Sequence, residues 1–551
     1  MTRFRARAAV ATAITAASLV LTLHGQVAGV RALQITDVGL PAVEEGVVWD
    51  VNRAPQMPQA LGRTEFAHLG GVVGASGREY TPGRVIVRFR DGLTADERRS
   101  VMRLATPSGE MMPRREHADF DVIRIDEAED AEAVAARFAE RLDVVYAQAA
   151  YRVHAMTPFV PNDPDYARLQ WNLPLINMER AWEIQPQAAS TVTVAVVDTG
   201  MAYRAATLTA NIPAFTNRGV RYPALGTQTI PFAAAPQLVG GGNTSRIVSP
   251  YDAISRGINP PLDLDGHGTH VSGTIGQLTN DGIGLAGIAF NARLMPVKVL
   301  GGFWDVVFGS APFQGGSDDD VAAGLRYAAD NGAKVINMSL GSSGPPDCGT
   351  NPNRSGCSPV IEAAMRYAVG KGAFVVVAGG NEFEDFVPPF GTNPTSVLAE
   401  IASRINGAIS VAAVDPNKAR SFYSSTGTYI EIAAPGGSNR GFPGSSGFVF
   451  QQTFNFNFVE TFDPTVVPPS QYAAPRFDIL ANIGYIGTSM AAPHISGVAA
   501  MLIQQGITDP AAIEAAIEQT ALDLGTPGRD DQYGFGLVDA RAALRGLGLA
   551  R

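Results

Sequence analysis

Between residues 191 and 436 the chain returns repeatedly to short, largely β-branched apolar runs, and that recurrence limits the fold more than any other feature. Thr191–Val197, Leu294–Leu300, Lys334–Leu340, Ala373–Ala378, Gly407–Val414 and Ile430–Gly436 read as strands. Runs of this length without polar alternation are buried on both faces, which is a habit of parallel sheets. Helical patterns lie between them: one runs from Asp319 to Asn331 and stops at Gly332, another from Pro359 to Gly370. The alternation predicts an α/β fold, a mostly parallel sheet with helices on both faces. Functional groups in such sheets collect at the carboxyl ends of the strands. Asp198, which closes the first run before Gly200, stands at such an end. Alone, it reads better as a strand-end Asx turn.

Two further segments carry chemistry. In Gly487-Thr488-Ser489-Met490-Ala491-Ala492-Pro493-His494 a serine enters a small-residue helix. Its hydroxyl lies where first-turn amides lack backbone partners and negative charge is favoured. An ordinary serine cap would have the same sequence. Gly266-His267-Gly268-Thr269-His270 brings a histidine into another small-residue helix. A metal pair at His267 and His270 lacks both the i, i+4 spacing and the intervening glutamate of the helical zinc motif.

Taken together, Asp198, His267 and Ser489 resemble in order and context the triad of the subtilisin-like serine proteases, the subtilases, whose order is Asp, His, Ser. Val375–Glu382 resembles the segment bearing the family's oxyanion asparagine, here Asn381, and Ile336–Gly341 resembles the groove-lining segment. The resemblance covers roughly residues 160–545 and implies a three-layer subtilisin-like fold. It implies a Ser489 nucleophile, a His267 base, an Asp198 partner and an Asn381 oxyanion donor. Substrate would pair along Ser339, Leu340 and Gly341, and the small Ala378, Gly379 and Gly380 would leave room for a large apolar residue before the scissile bond. Pro161–Trp171 resembles the mature start of the thermitase-like subgroup, and Gly534–Ala540 the usual end of the catalytic domain.

The amino-terminal part reads differently. Arg3, Arg5 and Arg7 precede an apolar run from Ala8 to Leu23 and small residues near Ala28, the pattern of a secretory signal peptide spanning residues 1–29. Residues 30–82 show no sustained periodicity and are read as a linker. From residue 83 to 156 a β-α-β-α-β series predicts a small α+β, ferredoxin-like unit, the shape of subtilase propeptides. Its strands are Val85–Phe89, Asp121–Ile125 and Val144–Ala147, and its helices run from Thr94 to Leu104 and from Asp130 to Leu142. Its end, Val145 to His154-Ala155-Met156, resembles a subtilisin propeptide terminus, which implies self-cleavage after Met156 and a mature start at Thr157. A linker trimmed elsewhere by other proteases is the alternative. Residues 157–551 form the expected catalytic domain, with the prodomain as its intramolecular inhibitor.

Composition enters at the compartment. A net charge of −10 argues against nucleic acid as a partner. No later segment is long enough to span a membrane, so a secreted protein is expected, with the periplasm as the other location and a monomer as the expected state. Cys348 and Cys357 are the two cysteines. In an exported chain so close a pair points to a disulfide, the alternatives being free thiols or metal ligands.

No cofactor is expected for the chemistry, and a structural Ca²⁺ is the one metal implied. Leu278–Leu285 resembles the family's calcium loop, in which Leu278, Asn280 and Ile283 would offer oxygens and Asp163 a carboxylate. The sequence departs from the family at Thr207, where a carboxylate ligand is usual. Asp263 and Asp265 are read as caps of the turn before His267, a second cation being the other reading. Residues 205–262, 301–318 and 437–484 look long for the family. Phe448, Phe450, Phe454, Phe456 and Phe458 within the last predict a strand or hairpin. The acyl chemistry would equally serve a peptide ligase or cyclase, and a non-catalytic binding protein would need a missing triad or oxyanion residue. An α/β-hydrolase esterase would need Gly-x-Ser-x-Gly, and the fifth position here is Ala491.

Overall fold

The computed structural model describes residues 72–73, 79–151, 159–217, 219–240, 246–345, 348, 356–455 and 469–546. The signal-peptide expectation, Met156 and Thr157 lie outside them. The described chain forms two compact units, one of residues 72–73 and 79–151 and the other of residues 159–546.

The smaller unit is an antiparallel sheet with two helices. Its central strand, Glu79–Phe89, pairs with Val144–Tyr151 on one side and Asp121–Arg124 on the other, and Glu110–Met111 extends the latter edge. Thr94 caps the helix Ala95–Ala105 through a reciprocal pair with Glu97, a sequence-legible capping box. Phe138, from the helix Ala131–Ala139, packs edge-to-face on Phe89 at 6.4 Å within a core that includes Val85, Val87 and Ile123. Two expectations need correction. The unit does not begin at residue 83, because Val72–Val73 pairs with Glu79 and Tyr80. Pro82 and Gly83 sit inside the central strand, where the register shift between Tyr80 and Val85 absorbs them. The second helix stops at Ala139, short of Leu142, and the amide of its cap Glu140 closes back on Ala136 and Phe138.

The larger unit is built on a seven-stranded sheet, parallel throughout, in the order Tyr251–Asp252, Arg293–Lys298, Thr193–Asp198, Val335–Met338, Phe374–Ala378, Ala408–Val414 and Ile432–Pro435. Along Thr193–Asp198, Val194 and Val196 enter one core while Ala195 and Val197 enter the other, and all four are fully buried. The helices His267–Gly276 and Thr488–Gln504 cover the first face, and Asp318–Asp330 with Pro359–Gly370 the second. Thr193–Asp198 comes first in sequence yet lies inside the sheet. The later strands Arg293–Lys298 and Val335–Met338 flank it on opposite sides, so the winding reverses there. Such a switch point opens a crevice at the carboxyl ends of the strands, and Asp198 occupies one.

The long segments are ordered where described. Residues 205–262 contain the antiparallel pair Ala206–Ile212 and Gly226–Phe232, and 301–318 the short helix Phe303–Phe308. In 437–484, Val449–Phe454 pairs with Leu480–Tyr485 over the helix His267–Gly276. Thr453 Oγ1 donates to the Gly266 carbonyl at 2.6 Å. Of the strand or hairpin expected from the phenylalanine spacing, a strand is present through Phe450 and Phe454, with its partner beyond the run at Leu480–Tyr485, while Phe456 and Phe458 lie outside the described residues. The disulfide Cys348–Cys357 is formed.

Candidate active site

Asp198 is the last residue of its strand, registered against Lys298, and its carbonyl accepts the amides of Val299 and Leu300. Its side chain is fully buried, and Oδ1 accepts from Thr199 N and from His267 Nδ1, each at 2.7 Å. The helix carrying His267 comes this close because Gly268 has no side chain: a Cβ there would sit 2.2 Å from the Gly200 carbonyl oxygen. Burial of the ring opposes its charged form, but the carboxylates of Asp198, Asp265 and Asp263 outweigh that and raise His267 from 6.5 to about 9. Asp265, lifted to about 6 by burial and by Asp263, accepts the His267 amide at 3.3 Å.

Ser489 lies in the first turn of Thr488–Gln504, just after Gly487, whose φ of +154° and ψ of 159° favour glycine. Ser489 Oγ donates to the Ser339 carbonyl at 3.2 Å. Pro493 falls in the helix interior, further in than a first-turn proline, and lacks the N–H that would bond the Ser489 carbonyl. The Ser339 hydroxyl takes that place, donating to the Ser489 carbonyl at 2.7 Å. Asn337 Nδ2 donates to Ser339 Oγ and Asn337 Oδ1 accepts from Ser496 Oγ, which locks the end of the Val335–Met338 strand to this helix. Ser339, Leu340 and Gly341 follow that strand as a loop, where the sequence pattern had the strand running to Leu340.

Asn381 follows the strand Phe374–Ala378 and the turn Gly379-Gly380. Its Oδ1 accepts from both the amide and the hydroxyl of Thr488 at 2.9 Å. With that oxygen anchored, the donor the Asn381 side chain has to offer is Nδ2. Ala378, Gly380, Asn381, Thr488 and Ser489 line a cavity of about 50 Å³, which Glu382 and Ser396 also border. A larger cleft of about 410 Å³ adjoins it through Leu340, Gly341 and Ser342, bounded by His267, Asp265, Leu300 and Asp318.

His270 stays outside this chemistry. Its Nε2 faces the Val449 and Ile483 carbonyls at 3.2 and 3.0 Å, and burial lowers its pKa to about 3, so it supports the hairpin and forms no metal pair with His267. Asp163 does reach the predicted calcium loop. It accepts Asn280 N at 2.7 Å and Asp281 N at 3.3 Å, and its pKa is raised by burial and by the adjacent Asp281. Asp281, Asn280 and Asn162 bring further oxygens to the same loop, where each already accepts a backbone amide; oxygen donors of this kind are the type that suits Ca²⁺. The sequence reading passed over Asp281, although it adjoins Asn280. Thr207 lies in the strand Ala206–Ile212. Asp263 caps the turn before His267, as the sequence reading has it: its oxygens are filled by backbone and hydroxyl donors, among them Thr199 beyond that turn.

A buried carboxylate holding an imidazole at the switch point of a parallel sheet, with a serine at a helix start nearby, defines a serine hydrolase layout on an α/β scaffold. Residues 189–536 match the model of the subtilase family and residues 68–149 that of the fervidolysin N-terminal prodomain. The chain belongs to the subtilase family, and it is a serine endopeptidase. It is 28% identical over 88% of its length to a thermophilic serine proteinase of Bacillus sp. (strain AK1), covering 91% of that protein. It is 30% identical over 84% of its length to an extracellular protease of Xanthomonas campestris pv. campestris, covering 73% of it. It is also 29% identical over 70% of its length to thermitase of Thermoactinomyces vulgaris, covering all 100% of it. Among the described residues no helix is long and apolar enough to cross a membrane.

Proposed function

We propose that the chain is an exported, self-processing endopeptidase in which Ser489 is the nucleophile, His267 the proton carrier and Asp198 its orienting carboxylate. The observation that carries this is the 2.7 Å bond from His267 Nδ1 to a fully buried Asp198 at the sheet's switch point. It commits Nδ1 to the carboxylate and leaves Nε2 for the Ser489 hydroxyl, which must turn from the Ser339 carbonyl to meet it. The hydroxyl oxygen attacks the scissile carbonyl as Nε2 takes its proton. Nε2 then protonates the departing amine, and water repeats the cycle to free the acyl group. The oxyanion is held by Asn381 Nδ2 and the Ser489 amide, the first positioned through Thr488 before any substrate arrives.

A polypeptide lies as an added strand along Ser339, Leu340 and Gly341. The residue before the scissile bond is large and apolar, as Met156 is in the chain's own junction. Glu382, which accepts Asn381 N at 2.8 Å, borders the small cavity beside Ser489 that would receive it. The prodomain inhibits in cis until cleavage after Met156. Ca²⁺ held by Asp163, Asp281 and Asn280 tightens the loop without entering the reaction, so a chelator lowers the melting temperature of inhibited enzyme by several degrees; an unchanged melt removes calcium from the account. The test of self-processing is amino-terminal sequencing of the wild-type chain beside Ser489→Ala. Wild type begins at Thr157 and the variant stays a precursor, whereas normal processing of Ser489→Ala overturns this reading.

A further inference from the structure

One buried carboxylate behind the imidazole has no part in the reaction above. Asp263 is fully buried; its Oδ1 accepts from Thr199 Oγ1 at 2.9 Å, Asp265 N at 3.0 Å and Gly266 N at 2.8 Å, and its Oδ2 from Thr269 N at 2.8 Å and Thr269 Oγ1 at 2.6 Å. Thr199 is the residue after Asp198, and Gly266 and Thr269 flank His267. Both hydroxyls pass the tie onward: Thr199 Oγ1 accepts from Gly268 N at 2.9 Å and Thr269 Oγ1 from Ala202 N at 3.0 Å. The turn after Asp198 and the first turn of the His267 helix are thus joined through one side chain, which also takes up amides the helix start leaves unpaired.

We propose that Asp263 is a positioning residue that fixes the His267 imidazole against Asp198, with Thr199 as its link to the strand. Resting on the reading of His267 as the proton carrier, this assigns Asp263 an effect on turnover and little on substrate affinity. An amide in its place would turn an NH₂ group toward donors that need an acceptor, releasing one arm of the clamp. A displacement near 1 Å in such a geometry costs about 100-fold in rate. Asp263 also acts through charge. Asp198, Asp263 and Asp265 face the ring, while Lys298, bonded to the Thr199 carbonyl and to Asp305, is the cation behind them.

The experiment compares full-length wild type, Asp263→Asn, Thr199→Val and Thr199→Ser. Turnover of a chromogenic peptide is measured per titrated active site, and the low-field His267 Nδ1 proton is followed by NMR across pH in the Ser489→Ala background. Asp263→Asn is expected to lose about 10–100-fold in kcat with KM within about twofold. Its Nδ1 signal weakens and the ring's midpoint moves to lower pH. Thr199→Val, which keeps the Asp263 bonds to Gly266 and Thr269 but removes both the donor to Asp263 and the acceptor of the Gly268 amide, loses at least about tenfold, and Thr199→Ser restores activity by keeping the hydroxyl. Parental kcat with an unchanged midpoint in Asp263→Asn overturns the proposal, as does equal loss in Thr199→Ser and Thr199→Val. A wild type that cleaves no peptide defeats the protease mechanism instead, and the NMR comparison still decides the role of Asp263.

Discussion

Three carboxylates surround the His267 ring, and their combined pull on its proton sets the direction of the pH response. Only the neutral imidazole takes the Ser489 proton, so the acidic limb of kcat/KM follows the ring's pKa in the free enzyme. With that pKa raised toward about 9, the limb should be centred above 6.5 and activity should climb into the alkaline range. Asp265→Asn removes one stabiliser of the cation, so the limb should move to lower pH; a limb at or below 6.5, or no shift, contradicts the electrostatic account. At Asn381, replacement by Leu should reduce kcat roughly 10²–10³-fold with little change in KM. Because Asn381 Oδ1 also holds Thr488, a melting curve must accompany that measurement. The motif residues were legible because each stands in a distinctive local setting: a strand end, a His-Gly turn, a Gly-Thr-Ser cap, a Gly-Gly-Asn turn. Asp263 was not, since an aspartate before a glycine turn reads as a cap, and its link to Thr199 spans 64 positions.

Among elements, the helix Pro510–Gln519 carries a feature that periodicity does not reveal. Glu514 and Glu518, one turn apart, converge on Glu431 with their carboxylates within 4.8 Å of one another. Burial is the chief cause that lifts Glu431 to about 8 and Glu518 to about 7, with Arg529 opposing the shift at Glu518. In the unfolded chain these carboxyls titrate near 4.5, so between that pH and about 8 the folded state binds more protons. Stability therefore falls as pH rises through this window. Glu518→Gln should raise the melting temperature of inhibited enzyme at pH 9 and leave it nearly unchanged at pH 4; equal shifts at both would refute the linkage. Strand starts and pairings were harder to read than strands themselves. Pro82 and Gly83 mask the true start of Glu79–Phe89, since propensity excludes both residues unless a register shift admits them. Ala206–Ile212 does alternate partly buried and exposed residues, but the pairing that stabilises it lies across the turn in Gly226–Phe232.

For the whole molecule, the apolar runs foretold a parallel sheet, because burial on both faces leaves a local compositional mark. Strand order left no such mark: that Thr193–Asp198 lies between Arg293–Lys298 and Val335–Met338 depends on how the chain crosses over, which no window of residues records. That order puts Asp198 at the crevice and allows the helices bearing His267 and Ser489 to approach from one face. The central claim is that this convergence makes one hydroxyl far more reactive than any other serine in the chain. Treating processed enzyme with a fluorophosphonate and mapping the adduct by mass spectrometry tests it directly. A single adduct on Ser489, abolished in Ser489→Ala and strongly slowed in His267→Ala, is the predicted result. Labelling of another serine, or labelling of Ser489 at an undiminished rate without His267, would contradict it.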